Sequence, residues 1–405
     1  MTKPGYKMTE IGEIPEEWEV YTFNTAFVSN NNKFLKIKTG QFKATGLFPI
    51  IDQGQNFISG YTDDEHALYD GDLPVIIFGD HTLSVKYIDF RFVVGADGTK
   101  ILSPNIHMFV PKFLFFSIIG KNLKSEGYKR HFSKLRKESF LCPKIKEQQK
   151  IAEILTTADR MIDLIDTEIK AAERLKKGLM QTLLSKGIGH TKFKMTEIGE
   201  IPEEWMLEKI AKLGEIITGG TPSTLESSYW NGNIPWVASG DVHQKYIQTA
   251  SKYITQEGLD NSNCKLLPID TVLVALNGQG KTRGLSAILK IEATCNQSLA
   301  GVISKKDVLN PTFLLFQMLN RYTEIRNISG AGRNGLNLGH IKNFVIALSP
   351  LLEQQKIAEL LTTVDRKIEL LNKKKMEAER LKKGLMRALL TGQVRVKIDP
   401  SKGEN

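Results

Sequence analysis

The chain has 405 residues, 41% hydrophobic and 25% charged, as in an ordinary soluble globular protein with room for two or three domains. Its net charge of +10 leans mildly towards a polyanionic partner. Three isolated cysteines, Cys142, Cys264 and Cys295, with no CxxC pair, argue against a disulfide framework and a structural zinc site. The amino terminus has no apolar leader, and no apolar run approaches the ~20 residues of a membrane span, so a cytoplasmic protein is expected.

The segment KMTEIGEIPEEW, Lys7 to Trp18, carries Gly12 and Pro15 and reads as an extended lead-in whose Trp18 docks on a core. Residues 19–143 contain short β-branched and aromatic runs broken by Gly, Asp and Asn, then an apolar helical stretch at 111–126, which together indicate an α+β class. The polar candidates here are Gln53, Gln55 and Asn56 in a glycine turn, His81 at a strand end, and Lys86. A basic cluster with Lys129, Arg130, Lys134 and Arg136 follows.

Residues 147–184 form a long amphipathic helix. With Ile151 at a heptad d position, Leu155, Ala158, Ile162, Ile165, Leu179 and Leu183 fall on alternating a and d positions. Near the carboxyl terminus the same pattern returns at 353–390, with Ile357, Leu361, Val364, Ile368, Leu371, Leu385 and Leu389 in the equivalent slots. Of 38 aligned positions, 25 are identical. Lys176, Lys375 and Lys382 interrupt the stripe at a positions, where a polar residue costs stability and can fix register. A helix this long with so narrow a stripe needs a partner helix, and the obvious one is its own repeat. Seam packing does not explain the identical polar residues, among them Gln148, Arg160 and Arg174 with Gln354, Arg366 and Arg380. They suggest one surface presented twice to a protein partner. Gly178 and Gly384 inside the helices cost about 1 kcal/mol each relative to Ala and lack an internal reason; close approach of a partner backbone is expected.

After a glycine-containing linker at 185–193, the lead-in recurs letter for letter at Lys194 to Trp205. The second variable stretch, 206–350, shows no obvious similarity to the first. It opens with a Gly/Pro/Ser-rich segment containing Thr221 and Ser223 and includes a helix over 310–328. A basic Gly/Asn loop then carries Arg333 and Asn334. The loop from Ala275 to Thr282 is similar to a P-loop with Ala in place of the first Gly. A P-loop, however, needs a helix starting at its Lys-Thr pair, and here Gly284 and a β-like run follow. A polar loop carrying Asn277, Gln279, Lys281 and Arg283 towards nucleic acid fits better, because amides and guanidinium groups read purine edges. The seven histidines show no metal-ligand spacing, and no residue set makes a convincing active site. Asp159 and Asp163, four apart on one face, read as solvated charge.

Frame, order and wording together resemble the specificity subunit of type I restriction–modification systems. The resemblance rests on TEIGEIPEEW, GGTPSTLESSYWNGNIPWV, EQQKIAELLTTVDRKIE and ERLKKGLMRALL, and covers essentially the whole chain. It implies two globular α/β target-recognition domains separated by two long antiparallel coiled-coil helices, an internal pseudo-two-fold repeat. The expected boundaries are 1–145 for the lead-in and first domain, 146–187 for the first long helix, 188–351 for the repeated lead-in and second domain, 352–392 for the second helix, and 393–405 for a tail. It further implies that each domain reads half of a bipartite double-stranded DNA site. Two methyltransferase subunits dock on the repeated helices, and restriction/translocase subunits join the larger complex. S-adenosylmethionine, ATP and Mg²⁺ would serve the partner subunits, with no cofactor and no catalysis in this chain. Two rivals come from other classes: a P-loop-like nucleotide-dependent enzyme, and a coiled-coil scaffold that does not bind DNA.

Overall fold

In the computed structural model, residues 2–29, 35–95, 98–127, 129–278, 280–328 and 335–398 are described. The chain forms two compact units. The first combines Met1–Thr167 with Lys373–Asn405; the second is Glu168–Asn372. Each unit therefore holds one variable stretch together with part of both long helices, Ile145–Leu183 and Leu351–Leu390.

In the first unit the lead-in is a hairpin, Tyr6–Thr9 against Gly12–Pro15, and Trp18 behind it is fully buried. Gly12 makes the turn with a φ of 110°, a conformation that suits a residue without a Cβ. Glu19–Thr22 pairs with Ser139–Cys142. An antiparallel sheet then runs in the order Phe27–Val28, Thr99–Pro104, Val75–Gly79, Val85–Ile88. A second sheet places Val93–Gly95 parallel to both Lys36–Ile37 and Phe48–Ile51, with Gly60–Thr62 antiparallel at its edge. The helix Pro111–Gly120 starts on proline, whose fixed φ suits the first turn, and buries Phe113, Leu114, Phe116 and Ile118.

The second unit repeats this plan in unrelated wording. The hairpin Phe193–Thr196/Gly199–Pro202 precedes the fully buried Trp205. Met206–Lys209 pairs with Val345–Leu348. The main sheet runs Gly214–Thr218, Leu299–Ser304, Val272–Ala275, Ser286–Leu289, and Tyr246–Ile247 is added in parallel at the far edge. Trp230–Val237 lies parallel to Thr294–Cys295 and antiparallel to Lys252–Ile254. The helix Pro311–Asn320 again begins on proline. The variable stretches thus share a topology that their sequences conceal. The expected single helix over 310–328 is instead two, Pro311–Asn320 and Tyr322–Asn327. They break at Arg321 (φ −103°, ψ 24°), whose guanidinium turns to Glu324 and the Val345 carbonyl.

Seam residues at the helix ends join the unit cores. Ile151, Leu155 and Leu389 are buried in the first core, against which Leu385 packs. Leu183, Ile357 and Leu361 are buried in the second, against which Leu179 packs. Leu371 is also buried, and Ala158, Ile162, Ile165, Val364 and Ile368 are partly covered. The seam lysines are paired rather than orphaned. In the first unit Lys375 meets Asp166 at 2.6 Å and Lys382 meets Asp159; in the second, Lys176 meets Asp365 at 2.6 Å. Asp159 is therefore no solvated bystander, because the lysine at the interrupted heptad position needs its charge. In the first unit the partner of Asp166 precedes that of Asp159 in sequence, so the paired segments run antiparallel.

Candidate nucleic-acid interface and helix surface

The repeated Glu-Gln pair at the start of each long helix holds the frame together. Glu147 is buried. It accepts a hydrogen bond from Trp18 Nε1 at 3.0 Å and takes a two-pronged contact from Arg395, at 2.7 and 3.0 Å. Glu353 does the same for the repeat, accepting from Trp205 Nε1 at 2.9 Å, His190 Nε2 at 3.0 Å and the Ile188 amide at 2.8 Å. In each unit a basic side chain just past a long helix completes the set: Arg395 in one and His190 in the other. Charge-assisted bonds in a dry site are strong, and losing one partner leaves a buried carboxylate exposed to the full desolvation cost.

Gln148 and Gln354 are fully buried beside these carboxylates. Gln148 accepts from the Val110 amide at 2.8 Å and donates to Met108 O and Pro143 O at 2.9 and 2.8 Å. Gln354 accepts from the Asn310 amide at 2.8 Å and donates to Val308 O and Ser349 O at 3.0 and 2.8 Å. The expectation that these two glutamines dock a partner is thereby corrected. Their amides satisfy backbone groups at the strand-to-helix corners and are out of reach of any other chain. Arg160, Arg174, Arg366 and Arg380 remain exposed. Gly178 and Gly384 have no atom within 4 Å of where a Cβ would sit, so nothing inside the molecule demands glycine there.

The polar loop candidates cluster at one matching corner of each unit, in the connection from the third to the fourth strand in the order of the main sheet. In the first unit this is the turn after Val75–Gly79. His81 N donates to Gln53 Oε1 at 3.1 Å, His81 Nδ1 donates to Lys129 O at 3.2 Å, and Ser84 Oγ donates to Gln53 O at 2.8 Å. Gln53, His81 and Lys129 are thus brought together, with Gln55 and Asn56 exposed on the adjoining turn. His131, fully buried, braces the corner by donating from Nδ1 to Asp80 O and accepting the Glu126 amide at Nε2. Arg130 and Arg136 are exposed, and Lys134 is paired with Glu126 at 2.6 Å. Lys86 departs from expectation. It is buried, and its ammonium donates to Asp52 O at 2.8 Å and also to Asn56 O near Asp52's carboxylate. Burial pushes it below the ordinary lysine value, against the pull of Asp52. Its inward position on the Val85–Ile88 strand makes it a brace beneath the glycine turn and removes it from the contact surface.

In the second unit the same connection is the glycine-lysine loop. No helix follows it; strand Ser286–Leu289 does, so the P-loop geometry is missing. Leu276 N donates to Ser298 O and Leu336 N to Leu276 O, both at 2.8 Å, drawing three turns together. The turn bearing Gln297 also receives the Thr221 hydroxyl, and Gly335 lies against Asn277. Asn277 and Lys281 are exposed, and Arg283 is half-buried. Ser223 is exposed in its own turn, accepting the Leu225 amide. Gln279, Arg333 and Asn334 lie outside the described residues. Tyr322 Oη donates to Lys281 O at 2.8 Å, and His243 bonds Thr282 Oγ1 at 3.0 Å.

Sequence reading missed one cluster in the second unit. Asp365 on the second long helix receives Lys245, Lys176 and the Tyr246 hydroxyl, the last at 2.8 Å. Burial pushes the Lys245 ammonium down to about 8 despite Asp365, and pushes the Tyr246 phenol up. Burial opposes the Asp365 charge, but Lys245 and Lys176 hold its carboxyl below the ordinary value. Lys245 and Tyr246 carry no motif, so nothing in the sequence marked them. Among the described residues no group of three His, Cys, Asp or Glu is placed to hold a metal, and no helix is long and apolar enough to cross a membrane.

This architecture, two sheet domains of one topology on two copies of a long helix, is that of a known class. The profile described as the type I restriction modification DNA specificity domain matches residues 15–174 and 202–380. The chain belongs to that family: it is a specificity subunit, the component of a type I restriction–modification system that recognises the DNA target. It is 27% identical to the putative type I restriction enzyme MjaX specificity subunit of Methanocaldococcus jannaschii, covering 97% of each chain. It is 26% identical to the EcoR124I/EcoR124II specificity subunit of Escherichia coli, over 81% of this chain and 82% of that one. Its fold matches the crystal structure of a type I S subunit from M. genitalium with a TM-score of 0.63 at 14% identity, over 96% of this chain and 99% of that one. A chain from a structure titled for complex assembly and conformational transition of the type I system matches with a TM-score of 0.54 at 14% identity. That match covers 94% of this chain and 99% of that one.

Proposed function

We propose that residues 1–145 and 188–351 each contain a target-recognition domain that reads one half of a bipartite, asymmetric double-stranded DNA site. The observation that carries this reading is the shared corner. One topological position holds Gln53, His81 and Lys129 in one domain and Asn277, Lys281 and Thr221 in the other. A frame that repeats while its polar tips differ suits two readers of two sequences, since base edges are distinguished by the donors and acceptors set against them. The nucleotide-enzyme reading loses support because a strand follows the glycine-lysine loop. The scaffold reading has no use for two differing polar corners.

The helices 146–187 and 352–392 act in this reading as an antiparallel coiled-coil ruler for the spacer between half-sites. At ~1.5 Å per residue, helices of 39 and 40 residues are each about 60 Å long, ample for half-sites one ~34 Å DNA turn apart. Two methyltransferase subunits dock on the faces away from the seam. Successive residues are about 100° apart on a helix, so Arg160, Leu164, Leu175 and Gly178 share one face, and Arg366, Leu370, Leu381 and Gly384 repeat it. The four leucines are 66, 55, 53 and 58% exposed, an unusual loss of burial made twice at the same places. Restriction/translocase subunits join the assembly in the cytoplasm. Chemistry requiring S-adenosylmethionine, ATP and Mg²⁺ belongs to those partners, and this chain is non-catalytic.

A spacer-length methylation library tests the reading. Inserting one heptad into both long helices adds at most ~10 Å, which lengthens the preferred spacer by up to ~3 base pairs and leaves both half-sites unchanged. Altered half-sites with an unaltered spacer would refute the ruler.

A further inference from the structure

Among the described residues, the first unit has no strand in the place that Tyr246–Ile247 of the segment Ser239–Ile247 takes in the second. The segment forms a short 3-10 helix and this strand, which is added to the edge of the main sheet. This inserted segment touches two functional features at once. At one end His243 bonds Thr282 in the glycine-lysine loop at 3.0 Å. At the other, Lys245 and Tyr246 close on Asp365 of the long helix, which Lys176 of the first long helix also grips. Between them the backbone is zipped to the sheet: Ile288 N donates to Lys245 O at 2.8 Å and Lys290 N to Ile247 O at 2.9 Å.

Three details indicate a built device. Lys245 adopts φ 62° and ψ −52°, a region that residues with a Cβ rarely occupy, and strain of that kind persists only where surroundings enforce it. Its ammonium lies 4.5 Å from the centre of the Phe316 ring, so the side chain is fixed by packing as well as by charge. Beside it a cleft of about 1320 Å³, lined by His243, Tyr246, Thr362, Arg366 and Asn372 among others, separates sheet from helix. Ile357 and Leu361 hold the start of the helix in the apolar core, and the polar contact at Asp365, at the edge of the cleft, adds a second hold farther along it.

We propose that Ser239–Ile247 is a strut, and that Lys245, Tyr246 and Asp365 are positioning residues holding the second reading loop at a fixed angle to the spacer helices. This rests on the DNA-reading and ruler roles proposed above. In the first repeat Asp159, the residue equivalent to Asp365, pairs with Lys382, and among the described residues no strand lies beyond Val85–Ile88 at the sheet edge. Spacing would therefore be held more strictly from the second half-site than from the first.

The test uses the full chain assembled with its methyltransferase subunits on a DNA library with randomised half-sites and spacers of every length. Asp365→Asn and Lys245→Met are expected to keep both half-site sequences while methylating spacers one base pair off the optimum roughly threefold or more above the wild type, because small misplacements weigh heavily on productive geometry. Tyr246→Phe, which removes one hydroxyl from an otherwise intact cluster, should move the profile the same way by less, and it serves if the charge variants fail to assemble. Lys245→Arg should retain the narrow profile. Asp159→Asn should broaden it less than Asp365→Asn. An unchanged spacer profile in Tyr246→Phe and in any charge variant that assembles would overturn the strut, as would a shifted second half-site sequence. A wild-type complex that shows no bipartite preference would instead overturn the reading on which the strut rests.

Discussion

The two units of this protein are one plan executed twice, and they differ where the plan is free to vary. What repeats lies inside: Trp18 and Trp205, Gln148 and Gln354, the buried Glu147 and the partly buried Glu353, and the proline-started helices. What differs lies at the polar corner and at the sheet edge, where the second unit gains Ser239–Ile247 and a cluster on Asp365. A carboxylate held by an indole and a basic side chain against a core is costly to replace, whereas an exposed loop between two strands tolerates many changes.

The largest expected effect separates the two latches. Trp18→Ala and Trp205→Ala should each destabilise by about 3–5 kcal/mol, and Glu147→Ala or Glu353→Ala by a similar amount, since each leaves buried partners unpaired. If the units are equivalent in stability as they are in plan, urea unfolding will show matched losses. A loss at one tryptophan alone would show that only one unit depends on its latch. Next in size is Lys281→Ala, expected to weaken or relax reading of the second half-site by ~1–3 kcal/mol and leave the first untouched. Arg333→Ala carries the same expectation. Equal effects on both halves in a methylation assay would contradict separate readers. Gly178→Leu should impair methyltransferase recruitment in a pull-down, whereas Gly178→Ala should raise stability by about 1 kcal/mol, helix propensity being its only internal consequence. Normal recruitment by the leucine variant would remove the case for a close-packed partner.

The smallest effect concerns pH. Lys245 is held near 8 when folded and returns towards 10.5 when unfolded, so above pH 8 the folded chain releases this proton first. The unfolded state then binds more protons, and stability rises between pH 8 and about 10. Lys245→Met should flatten that rise in a pH series of urea midpoints, and a steeper rise in the variant would contradict the assignment.

Periodicity and repetition made the long helices, the lead-ins and the pairing of one helix with its copy legible in the sequence, because a heptad stripe and a duplicated word are local patterns. The helix starts, two residues before Glu147 and Glu353, were legible to within a turn. Side-chain identity alone could not divide the identical polar residues into those that hold the frame and those that face outward. Gln148 and Arg160 look equally available in a string of letters. Only the folded chain, by bringing Val110 and Met108 onto the amide of Gln148, turned one inward. Lys86 went the same way, its place on an inward-facing strand position outweighing its charge. The common topology of the two variable stretches, and the meeting of Lys245 with Asp365 across 120 residues, were likewise decided in three dimensions. Strand pairing and buried charge are set by which distant segments meet, and no local pattern in the chain records that.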